Sequence, residues 1–145
     1  MKFTFSLESV LKVREHREQA QKQAYALETR NMQEIKSQLI DARDKLDQMN
    51  SEDGLNSISN IQHMRRQFSH MQQMHAMIGK LNQDLTRADK RVSTERERLV
   101  EAHRLTHIME SAKEREFARY RHEFNQAEQK QMDDISSIIA VRKGL

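Results

Sequence analysis

The chain has 145 residues, of which 36% are apolar and 32% charged, with a formal net charge of +3, three Gly, no Pro and no Cys. So few apolar residues do not favour a thick globular core, and the lack of Cys excludes a disulfide framework and thiolate metal ligation. The wealth of Gln, Glu, Lys, Arg, Ala, Leu and Met suits long solvent-bathed helices; disorder is the competing reading, and periodicity decides between them.

The opening stretch meets Glu8 before any long apolar run, so no secretory signal is expected there, and no segment is apolar enough to span a membrane. Helix one reads from about Ser6, a good N-cap, to about Asn50. It opens with Leu7, Val10 and Leu11, and the same register then runs through Arg14, Glu18 and Gln21, a weakly apolar seam. Its second half is clearer: Met32, Ile35, Leu39, Ala42, Leu46 and Met49 alternate steps of three and four, the stripe of a coiled-coil helix. Residues 51–60 gather the turn formers. Gly54 is placed there to take a positive φ, and Ser57 or Ser59 to cap the second helix.

Helix two reads from about Ile58 to about Val141. Its stripe passes through Phe68, Met71, His75, Ile78, Leu81, Leu85, Ala88, Val92, Glu95, Leu99, Ala102, Thr106 and Met109, with one short step of three near His75. A stripe of that length excludes disorder. Gly79 either admits close approach of the facing helix or is simply tolerated. The expected fold is therefore all-α, one antiparallel two-helix coiled coil across residues 1–145. At ~1.5 Å per residue, helix one spans about 65 Å and helix two about 120 Å, so the second helix overhangs. A short turn would set residues 32–49 against 61–80 and the amino end near residue 105, leaving about 35 residues of helix two unpaired.

The overhang keeps a pattern: Phe117, Tyr120, Phe124, Glu128, Gln131, Ile135 and Ile138 recur at helical spacing. An exposed apolar stripe on a single helix needs a cover, either a partner's groove or channel, its own fold, or a second copy. His103 and His107 share a face, but Arg104 stands where a zinc protease needs Glu, and no phosphate loop or concave pocket is evident. No metal, cofactor or catalytic group is expected. The basic residues alternate with acids, for example Arg87, Lys90 and Arg91 around Asp89, so nucleic acid is not an expected partner. Met49, Met64, Met71, Met74 and Met77 crowd the hairpin end, as pliable seam packing or as an adaptable partner surface.

The opening Phe3-x-Phe5-x-Leu7-Glu8-x-Val10-Leu11-x-Val13-Arg14-Glu15 resembles the amino-terminal signature of the flagellar export protein FliJ family. Lys130-x-Met132-Asp133-Asp134-Ile135, with Ala140-x-Arg142-Lys143 beyond it, resembles its carboxyl end. The resemblance implies a non-catalytic coiled-coil stalk of the flagellar type III export apparatus. Such a stalk inserts into the hexameric export ATPase, promotes its assembly and activity, contacts the export-gate membrane protein FlhA and escorts export chaperones. It would be cytoplasmic, peripheral to the inner membrane at the flagellar base, and monomeric when isolated.

With the resemblance come candidate residues. Toward the ATPase ring these are Leu7, Val10, Leu11 and Arg14 on helix one, and Phe117, Tyr120, Phe124, Asp133, Asp134, Arg142 and Lys143 on helix two. Toward the gate they are Gln38 and Phe68, while other positions of that patch fall on Ala42, Lys45 and Met49. The rival readings are the equivalent stalk of an injectisome and a generic scaffold that dimerises through the overhang.

Overall fold

The structure is a computed structural model that describes residues 2–144. It contains three helices in chain order, α1 (Glu8–Asn50), the short α2 (Glu52–Asn56) and α3 (Ile61–Gly144), and no strand occurs among the described residues. The longer α3 returns antiparallel to α1, the expected all-α hairpin. Two compact units divide it: Gln19–Val100, and the residues up to Glu18 together with those from Glu101 onward.

In the Gln19–Val100 unit the core is a narrow apolar seam. Leu39, Ala42 and Leu46 of α1 meet Met74 and Leu81 of α3, flanked by Ile35, Met49, Met71, Ile78 and Leu85. These residues recur at the coiled-coil interval, so a single stripe on each helix is removed from water while its opposite face stays solvated. Met74 is buried and His75 exposed, which removes the short step expected at His75 and turns Phe68 outward. Further along α3, Ala88 is fully buried. Gly79 has open space around its Cα, so it is tolerated rather than required for close approach.

The turn differs from expectation. Gly54 does not take a positive φ. It lies within α2, which Ser51 caps by accepting from the Gly54 N–H at 3.1 Å. There an added Cβ would fall against Gln48 O and 2.9 Å from Met49 O, so glycine is needed for backbone approach. The N-cap of α3 is Asn60, whose Oδ1 accepts the His63 N–H at 2.7 Å, rather than Ser57 or Ser59. Ser57 instead donates to Gly54 O at 2.7 Å, and Ser59 N–H donates to the His63 ring at 3.3 Å. The chain thus reverses after α2, at residues 57–60, inside the expected 51–60 stretch but in its second half. That displaces the pairing: Arg43 reaches Asn82 Oδ1 at 3.4 Å, Arg91 meets Glu28 at 3.2 Å, and Gln21 bonds Glu95.

In the terminal unit the seam is polar and satisfied. Arg14 donates to Leu105 O at 2.9 Å, and the Thr106 hydroxyl shares its one proton between Ala102 O at 3.1 Å and Arg14 O at 3.3 Å. Buried Glu18 sits 2.7 Å from His103 Nδ1. Ser6 does not cap α1; its hydroxyl donates to Glu116 at 3.0 Å, and Glu8 pairs with Lys113 at 3.0 Å. Phe5 and Leu11 are buried beside this layer. The amino end therefore lies by residues 113–120 rather than 105, because the later reversal slides the facing helices of the hairpin along one another. From residue 121 onward every described residue of α3 is exposed, a shorter unpaired stretch than expected.

Candidate partner-binding surfaces

Residues 2–5 carry no regular structure, yet they bring Phe3 back onto α3. The Phe3 ring lies edge-on to Phe117 at 5.1 Å and tilted against Tyr120 at 5.4 Å, and Tyr120 stacks on Phe124 at 6.2 Å. Offset and edge contacts of this kind stabilise beyond their buried area. The aromatic row is still only partly covered: Phe117 is 43% and Phe124 44% exposed. The ring-facing candidates therefore separate. Leu11 is buried and Arg14 is engaged with backbone, whereas Leu7 and Val10 are exposed. Asp133, which accepts from Gln129 at 3.2 Å, Asp134, Arg142 and Lys143 all lie on the exposed tail.

Beside the aromatic row runs an open groove of about 490 Å³, walled by Phe3, Leu11 and Phe117 and rimmed by Glu15, Glu110, Lys113 and Glu114. Lys113 is engaged by Glu8, and the three rim carboxylates, Glu15, Glu110 and Glu114, have no cationic partner among the described residues. An apolar floor under excess negative charge favours a basic amphipathic segment. Glu15 ends the amino-terminal signature, but none of these rim residues is a candidate site residue from the sequence, because their grouping arises only when residues 3–15 fold against residues 110–117. Nearby, the Arg104 guanidinium hydrogen-bonds Glu101 and holds that exposed carboxyl below its ordinary range, an arrangement local to α3.

A second surface lies at the hairpin. Leu55, Ile58, Met64, Phe68 and Met71 line a groove of about 440 Å³, and Phe68 is 62% exposed. Gln38 is also exposed, but it does not line that groove. The hairpin methionines divide: Met74 is core, whereas Met64 and Met77 face outward. No group of three or more metal-ligating side chains occurs among the described residues, and His103 serves Glu18 instead.

The two-helix hairpin, its uncovered tail and the two grooves described above fit a protein that is held by others. A family profile described as flagellar FliJ protein matches residues 2–145. The chain belongs to the FliJ family. No curated protein and no solved structure matches it significantly. Membership gives this FliJ-family chain a role in flagellar protein export and associates it with the export apparatus. No helix among the described residues is long and apolar enough to cross a membrane.

Proposed function

We propose that this chain is the non-catalytic stalk of the flagellar type III export ATPase. The terminal unit is the part that enters the ATPase ring, with the exposed tail of α3 as its leading contact. The observation that carries this reading is the run of exposed apolar residues beyond the reach of α1: Phe124, Met132, Ile135, Ile138 and Ile139. Water-exposed side chains of this size on one helix are unfavourable until a partner removes them from solvent. The ring, rather than this chain, supplies the nucleotide site. Asp133, Asp134, Arg142 and Lys143 put both signs of charge on the same tail, for contacts that fix register more than affinity.

The apolar groove at the hairpin, with Phe68, is assigned to the export gate FlhA, and Gln38 to a separate contact on the same protein. Export-chaperone escort and a cytoplasmic place against the inner membrane at the flagellar base belong to the same proposal. Injectisome service is the less favoured reading, since the family match is to the flagellar protein.

The test is hydrolysis by the flagellar export ATPase with the wild-type chain, with Phe117→Ala/Tyr120→Ala/Phe124→Ala, and with Ile135→Ala/Ile138→Ala. The aromatic variant also disturbs Phe3 packing, whereas the isoleucine variant alters only tail residues. Stimulation by the wild type and its loss in both variants support the reading. Full stimulation by the isoleucine variant removes the tail from the working surface, and no stimulation by any form removes the ATPase.

A further inference from the structure

We propose that a second copy of this chain covers the exposed tail when no larger partner does, the two α3 tails running antiparallel so that each ends in the acidic groove at the other's amino end. This pairing is independent of the ATPase reading and replaces the expectation of a monomer.

Its first support is spacing. On a helix turning ~100° per residue, Glu110, Phe117, Phe124, Glu128, Ile135 and Arg142 fall within about 20° of one line. Their order reads as its own complement about a point near residue 126. Antiparallel pairing about that point sets Glu110 against Arg142, Phe117 against Ile135, and Phe124 against the methylenes of Glu128. Arg121, one step to the side, comes beside the Glu128 carboxylate of the second copy. An in-register parallel pair would place Glu110, Glu128 and Arg142 each opposite itself, and like charges held opposite one another are repulsive. A staggered parallel pair would not close.

The second support is the groove. Its apolar walls, Phe3, Leu11 and Phe117, end in Glu15, Glu110 and Glu114, carboxylates with no cationic partner among the described residues. The tail that would lie there carries exposed Ile135, Ile138 and Ile139 and finishes in Arg142 and Lys143. Apolar thus meets apolar and two cations meet three anions. Because one two-fold axis generates both contacts, each copy would give a tail and receive one. Such a pair hides the face assigned above to the ATPase ring, so pairing and ring entry exclude each other.

The test uses the full chain, whose lack of Cys permits clean disulfide trapping. Sedimentation velocity over a range of concentrations should show a monomer–dimer equilibrium. Arg142→Glu should raise the dissociation constant about tenfold, since both symmetric contacts turn from attraction to repulsion, and Glu110→Arg/Arg142→Glu should restore it. Glu110→Cys and Arg142→Cys chains should cross-link when mixed under mild oxidation and not when oxidised separately. A monomer at every concentration, self-cross-linking of either Cys chain alone, or no recovery in the double reversal would each overturn the proposal.

Discussion

The two units use the same helices to opposite ends. Where residues 35–49 face 71–85 the seam is leucine, isoleucine, methionine and alanine, buried through interchangeable apolar contacts. In the terminal unit Arg14, Glu18 and Thr106 occupy the equivalent stripe and are satisfied by Leu105 O, His103 and Arg14 O. An apolar seam gains from area removed from water. A polar seam returns less net free energy, because each hydrogen bond replaces one to water, yet it fixes register, since a slipped pairing strands a buried donor or acceptor. Stability is thus concentrated at the hairpin half and alignment at the end whose tail is uncovered.

Truncation in the apolar seam should separate the two halves most severely. Leu81→Ala should cost about 2–3 kcal/mol in chemical denaturation, the lower part of the range for buried leucines because the seam is one layer deep. An equally small loss from Leu81→Ala and from a surface substitution would dissolve the distinction between the halves. Next in size is Gly54→Ala, expected to cost about 1–3 kcal/mol as its methyl meets the Gln48 and Met49 carbonyls. Gly79→Ala, with open space around it, should instead stabilise by about 0.5–1 kcal/mol. The two glycines therefore move the thermal midpoint in opposite directions.

In the polar seam Thr106→Val keeps the shape and removes the hydroxyl, so a loss of about 1 kcal/mol is expected. Calorimetry would read it as a small shift, well below that of Leu81→Ala. Smallest is the pH effect at Glu101. Its carboxyl is held below the ordinary range by the Arg104 hydrogen bond, so its contribution is present above the unfolded carboxylate pKa and fades as pH falls through the lowered one. Circular dichroism of Arg104→Gln should be less acid-sensitive there than the wild type, by an amount near the detection limit.

The hairpin was legible in the sequence because long runs at steps of three and four admit one reading, and Leu39, Ala42, Leu46 and Leu81 are core as their spacing requires. The position of the reversal was not. Turn-forming composition marked residues 51–60, but whether Gly54 ends a helix or sits inside a short one depends on Ser51 and Asn60, whose capping bonds are visible only in three dimensions. Because pairing is counted from the turn, that one difference displaced the amino end along α3. Phe68 and His75 show the same limit on a smaller scale: either Met74 or His75 continues the stripe, and packing selected Met74. At the candidate surfaces, the tail stripe was readable as exposed periodic residues. The acidic groove was not, since Glu15 and Glu110 are distant in sequence and ordinary in kind.

The tail of α3 is, in this proposal, the surface that a partner covers, and everything assigned to the ATPase depends on it. Hydrogen exchange of the full chain, dilute enough to be single, with and without the hexameric export ATPase, tests it directly. Amides of residues 121–144 should exchange fast alone and become protected in the complex, while residues 61–80 change little. Protection confined to residues 61–80, or a tail that stays fast in a formed complex, would contradict it.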